Sequence, residues 1–104
     1  MDKELKAKWI DALRSGKYKK GKRQLFVPYE GSYCCLGVLA HMQDPSSIDD
    51  KGSAVINDKD YNATVYLPYV FKDIIPLNDE KMLARINDSS ESFIEVIDYI
   101  ECNL

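Results

Sequence analysis

The sequence predicts an α+β fold: one small domain with a buried central helix, amphipathic helices at both ends and a β-hairpin or small antiparallel sheet between them. Three observations carry this. Residues 33–42, YCCLGVLAHM, are apolar on every helical face, the mark of a buried helix. Residues 2–15 and 92–101 carry apolar stripes at i, i+3, i+4 spacing. Two β-branched runs, 53–56 and 63–67, lie in the middle of the chain. With 104 residues, 45% of them hydrophobic, one core suffices and residues 1–104 read as a single domain.

In chain order, Leu5, Trp9 and Leu13 set the stripe of the first helix, with Ile10 beside them; Asp2 caps its start and Gly16 ends it. Trp9 is the expected core anchor, since its ring has a large apolar surface and its indole N–H needs one acceptor. Residues 17–23, KYKKGKR, form the one basic run and read as a lysine-rich turn. A short strand at 24–27 ends at Pro28, and Glu30, Gly31 and Ser32 turn into the central helix with Gly31 or Ser32 near its N-cap. At about 1.5 Å per residue that helix is about 15 Å long, too short to cross a membrane. Gly37 inside it costs roughly 1 kcal/mol against alanine, and the usual reason is a close approach by another backbone.

Residues 44–52 read as a polar loop, and the two β-branched runs as a hairpin with the long turn NDKDYN. Pro68 stops the second run; residues 69–75 read as a short helix ended by Pro76. Asn78 is the predicted N-cap of the next helix, with Asp79 and Glu80 in its first turn and Met82, Leu83 and Ile86 on its buried side. Ser92 opens the last helix in a capping box with Glu95, and Phe93, Val96, Ile97 and Ile100 form its apolar stripe. Both terminal helices are expected to lean on the central one.

Charge is unevenly placed. Residues 1–23 hold nine Lys or Arg and three Asp or Glu, a local +6; the remainder holds five and fourteen, a local −9. The N-terminal MDKELKAKW has charges where a signal peptide needs an apolar run, and no apolar stretch approaches a membrane span, so the cytoplasm is the expected compartment. Cys34, Cys35 and Cys102 make a poor disulfide framework and fit a reducing environment.

Several stretches carry a resemblance. The chain is similar to a family of small, uncharacterised phage and prophage proteins that share a tryptophan helix ending in ALRSGKY-x-x-G, then YCCLG-x-L, a proline-marked segment, L-N-D, S-F-x-E and Y-I-E. The matching stretches are residues 9–18 with Gly21, residues 33–39, Leu67 and Pro68, Ile86, Asn87 and Asp88, Ser92 and Phe93, and residues 99–101. The match spans nearly the whole chain. It departs at Ala40 and His41, where such proteins often have a further Cys and an Asp, and at Ile86 in place of leucine, which weakens the idea of a fixed cysteine cluster. The resemblance implies a phage-encoded accessory protein acting in the host cytoplasm and brings no catalytic residues with it.

Three function classes follow. A non-catalytic binding module is the reading the residues favour, its partner a host or defence-system protein or a small anionic ligand. Seven tyrosines suit it, because tyrosine offers contact area at low entropic cost. Its candidate residues are Lys17, Tyr18, Lys19, Lys20, Lys22 and Arg23 in the basic run, and Tyr29, Tyr61, Tyr66 and Tyr69 near turns and strand ends. Nucleic acid is not the expected partner, since the run is short and the rest of the chain repels a polyanion.

The second class is a cysteine-nucleophile enzyme using Cys34 or Cys35 at a helix N-terminus, with His41 and Asn87 or Asp88. In a straight helix Cys34 and His41 stand about 10.5 Å apart along the axis, beyond hydrogen-bond reach. The third is an acidic mimic of nucleic acid built on Asp44, Asp49, Asp50, Asp58, Asp60, Asp73, Asp79, Asp88, Glu91, Asp98 and Glu101. Cys34, Cys35, His41 and Cys102 lack zinc-ligand spacing, so neither a metal nor another cofactor is expected.

Overall fold

Trp9 sits at the centre of the packing: its ring is fully buried, and its Nε1–H donates to the Cys35 carbonyl at 3.0 Å. The computed structural model describes residues 1–48, 55–56, 59–60 and 73–104. In chain order the elements are α1 (Lys3–Arg14), β1 (Lys19–Lys20), β2 (Phe26–Val27), β3 (Ser32–Tyr33), α2 (Cys35–Gln43), a 3-10 turn (Pro45–Ser47), β4 (Val55–Ile56), β5 (Lys59–Asp60), α3 (Leu77–Ser89) and α4 (Ile94–Asn103). Among the described residues, four helices with small sheets make the fold α+β.

α1 forms as its periodicity requires. The Asp2 carboxylate accepts the Leu5 N–H at 2.8 Å, Gly16 takes φ 77° beyond the last turn, and Trp9, Ile10 and Leu13 are buried. α2 is the core helix, with residues 35–40 all buried. Its N-cap is Cys34, not Gly31 or Ser32 as predicted: Ser32 is taken into β3, and the Cys34 thiol accepts the Gly37 N–H at 3.4 Å. Gly37 has the predicted close neighbour, the Leu25 backbone. A Cβ at position 37 would stand 1.8 Å from the Leu25 carbonyl oxygen, which itself accepts the Cys34 N–H at 3.2 Å.

The three-stranded sheet has β3 in the middle, with β2 antiparallel on one side and β1 parallel on the other. The basic run is therefore not simply a turn, because Lys19 and Lys20 pair with Ser32 and Tyr33. The sheet is mixed rather than antiparallel. The separate ribbon pairs Val55 with Asp60 and Ile56 with Lys59, so the partner of the first β-branched run is residues 59–60 within the presumed long turn. The run at 63–67, and residues 69–72 of the predicted short helix, lie outside the described residues. Residues 73–75 form a turn, not helix, with Ile75 buried.

The helix of residues 77–89 starts one residue before its predicted cap: Pro76 precedes it and no side chain caps it. Asn78 thus lies inside. Its buried side is Glu80, Leu83, Ala84 and Asn87, whereas Met82 is 38% exposed and Ile86 half-buried, a rotation from the predicted face set by contact with α2. The capping box before α4 does not form, because Phe93 holds the N-cap position and Ser92 Oγ accepts the Ile94 N–H at 3.3 Å instead. The predicted stripe of Phe93, Val96, Ile97 and Ile100 is buried. α1 and α3 flank α2, while α4 packs chiefly on α3 and α1 and shares one apolar cluster with α2.

Candidate functional site

The cysteines come first, because their surroundings decide the enzyme reading. Both thiols at the start of α2 are buried. Burial pushes Cys34 up to about 11, overriding the opposing pull of the Gly37 and Leu36 N–H groups, and also raises Cys35 well above the ordinary thiol range, with Cys34 adding to the effect. The expected lowering by the helix N-terminus is outweighed by desolvation. The Cys35 thiol donates to the Leu83 carbonyl at 3.8 Å. His41 is bonded elsewhere: its Nδ1 shares a 2.9 Å hydrogen bond with the Tyr18 hydroxyl, and its ring stacks edgewise or tilted against Tyr18 and Tyr33. No thiol–imidazole pair is assembled.

Asn87 and Asp88, the other members of that reading, are spent on backbone. Asn87 is fully buried; its Oδ1 accepts the Cys35 N–H at 3.1 Å, and its Nδ2 donates to the Gly21 carbonyl at 2.9 Å. Asp88 Oδ1 accepts the Arg23 N–H at 2.7 Å, where the backbone takes φ 73°. The two residues pin the 21–23 turn to the end of α3. This explains why β1 is held parallel beside β3.

The pinning also distributes the basic run. The Lys20 ammonium donates to the carbonyls of Asn87 at 2.6 Å and Gly21 at 3.3 Å, while Lys22 pairs with Glu91 at 3.0 Å. Lys17, Lys19 and the Arg23 side chain are exposed and, among the described residues, make no ion pair. Lys20 differs from all of these. It is half-buried and bonded only to neutral carbonyls, and desolvation, with Lys22 contributing, holds its ammonium below the usual lysine range.

Lys20 lines a groove of about 410 Å³ between the C-terminal end of α1 and the start of α4. Leu13, Phe93 and Ile97 give it an apolar floor, Tyr18 forms a wall and Ile94, 65% exposed, stands at its rim. Another depression, of about 650 Å³, is lined by Met1, Asp2, Leu5 and residues 73–77, with no lysine, arginine or aromatic residue among them.

The structure thus brings Tyr18 and Lys20 into one site, with Lys19 beside them in β1. Tyr29 stands apart on the β2–β3 turn, 88% exposed. Tyr61, Tyr66 and Tyr69 lie outside the described residues. Phe93, Ile94 and Ile97 are site residues that sequence reasoning missed. Their signal was the adjacency of an inward Phe93 and an outward Ile94 at a helix start. Of the proposed mimic's carboxylates, Asp79 accepts the Tyr99 hydroxyl, Asp88 the Arg23 N–H, and Glu91 and Glu101 pair with Lys22 and Arg14. Asp44 caps the 3-10 turn, and Asp73 and Asp98 are exposed; Asp49, Asp50, Asp58 and the Asp60 side chain lie outside the description. Among the described residues no group of three or more His, Cys, Asp or Glu side chains is placed to hold a metal ion, and no helix is long and apolar enough to cross a membrane.

Fold and site together define a small α+β domain with a closed thiol core and an open, apolar-floored groove bordered by Arg14, Tyr18, Lys20 and Glu91. Residues 1–70 match a domain of unknown function, DUF8296, and the chain belongs to that family. The matched span includes α1, the three-stranded sheet and α2. No curated protein and no solved structure matches the chain.

Proposed function

We propose that this chain is a phage-encoded, non-catalytic binding module that occupies a host or defence-system protein in the host cytoplasm. The observation that carries the reading is the contrast between the groups that could do chemistry and those that face outward. Cys34, Cys35, Asn87 and His41 are buried or bonded within the fold. The groove, with Tyr18 and Lys20, and the exposed Tyr29 are open to a partner. The phage origin is supported by the sequence resemblance. Trp9, Gly21, Cys35 and Asn87 all belong to its shared pattern, and they hold one another in the folded core. A small anionic ligand is the second reading, favoured by the half-buried Lys20 ammonium, which donates to the Asn87 and Gly21 carbonyls.

Photo-cross-linking in the host cytoplasm tests the proposal. A benzoylphenylalanine residue in place of Tyr29 or Ile94 should give one discrete protein adduct, and the purified adduct partner should bind the unmodified domain. The same residue in place of Asp98 should give none. Absence of an adduct from both Tyr29 and Ile94 would contradict the protein-occupancy reading.

A further inference from the structure

We propose that Lys20 is an acylation site, whose side-chain nitrogen takes the acyl group of a thioester carrying a short apolar chain ahead of its exposed neighbours Lys17 and Lys19. The inference goes beyond the binding-module reading and does not depend on it, since it concerns a covalent mark on the chain itself.

The nitrogen is held as an amine nucleophile requires. It donates to the Asn87 carbonyl at 2.6 Å and the Gly21 carbonyl at 3.3 Å, two acceptors for a group with three N–H donors. A neutral amine has two hydrogens and one lone pair, so loss of the third proton leaves both carbonyls bonded and places the lone pair at the position left over. The approach to it is the groove that Lys20 lines. Around the nitrogen, burial is the largest influence and disfavours the ammonium, and Lys22 adds to it; Cys35, Asp88 and Glu91 pull the other way and together weigh less. Glu91 is also engaged by Lys22, and Asp88 by the Arg23 N–H. Arg14, on the same groove, is a further cation, paired with Glu101. Lys17 and Lys19 are exposed and lack this setting.

The chemistry follows from the same bonds. After the ammonium loses a proton to water, the Lys20 nitrogen attacks the thioester carbonyl carbon. A C–N bond forms, the C–S bond breaks, and the thiolate departs with the electron pair and takes up the proton that the nitrogen sheds. The product amide keeps one N–H for the short bond to the Asn87 carbonyl, and a half-buried charge is removed. A neutral imine formed with an aldehyde has no N–H and strips both carbonyls of their donor, so the site favours acyl transfer. Leu13, Phe93 and Ile97 give the acyl chain an apolar surface in a space of about 410 Å³.

The test is timed acylation of the full chain with butanoyl-N-acetylcysteamine, with hydroxylamine treatment to clear thiol-bound acyl groups and fragmentation mass spectrometry of chymotryptic peptides. At pH 8, Lys20 should gain the butanoyl group several-fold faster than Lys17 or Lys19. Its rate should level off at a lower pH than theirs, because the neutral amine is reached sooner there. In urea the preference should vanish, since it comes from the fold and not from the local sequence. An acetyl donor should give a smaller ratio of Lys20 to Lys19, because a two-carbon group leaves the floor uncovered. Acylation of Lys20 no faster than Lys19, coincident pH profiles, or a preference that persists in urea would each overturn the site. Equal ratios for the acetyl and butanoyl donors would overturn the selection of an apolar chain.

Discussion

Asn87 and Gly21, 66 positions apart in the chain, are joined by a buried 2.9 Å hydrogen bond from the Asn87 side-chain amide to the Gly21 carbonyl. The same side chain accepts the Cys35 N–H, so one residue of α3 ties the basic turn to the first residue of the core helix. Asn87→Ala leaves a donor and an acceptor unsatisfied in the core and should destabilise the fold by about 2 to 4 kcal/mol. Urea denaturation checks this: a midpoint indistinguishable from that of the parent chain would show that the clasp is dispensable.

Gly37 permits the Leu25 carbonyl to lie against α2, and the obstacle to any side chain there is backbone. Gly37→Ala should therefore cost about 1 to 3 kcal/mol, although alanine is the better helix former. Melting temperature reads the sign directly, and a more stable alanine variant would refute the close approach.

Trp9 is the single tryptophan, and its emission should be that of a fully buried indole, shifting to longer wavelength on unfolding. Trp9→Phe keeps much of the apolar volume but leaves the Cys35 carbonyl without the indole donor, at a cost of about 1 to 2 kcal/mol. Trp9→Ala should cost about 3 to 5 kcal/mol. Chemical denaturation of the two variants should rank them in that order.

Alkaline pH should unfold the chain through its thiols. Cys34 ionises at the ordinary 9.0 when unfolded and at about 11 when folded, so between these values the unfolded chain has lost a proton that the folded chain keeps. Its stabilising contribution is whole below pH 9 and is lost as pH rises through 11, a change of about 3 kcal/mol, with Cys35 acting in the same direction. Lys20, held below its usual range, acts in the opposite direction as pH rises. Stability measured from pH 8 to 10.5 should fall less steeply for Cys34→Ala than for the parent; parallel slopes would contradict the burial.

What the sequence made legible follows from interaction range. α1, α2 and the stripe of α4 could be read because apolar periodicity is local, as Leu5, Trp9 and Leu13 illustrate. The two-residue strands were not, because Lys19 and Lys20 have no strand pattern and are placed by bonds from Asn87 and Asp88 to the residues that follow them. Capping failed at Ser92 because burial of Phe93 set the start of α4. Half of the groove, Tyr18 and Lys20, is legible in the basic run. The other half was hidden because Phe93 and Ile97 meet Leu13 only in three dimensions.

The central claim is that Cys34 and Cys35 are core residues, which leaves function to the outer surface. Timed thiol labelling of the native protein at neutral pH, followed by mass mapping, tests it most directly. Cys102 is exposed near the chain end and should react first, while Cys34 and Cys35 should react only at the rate of unfolding. Modification of Cys34 or Cys35 ahead of Cys102 would contradict the account and restore the cysteine nucleophile.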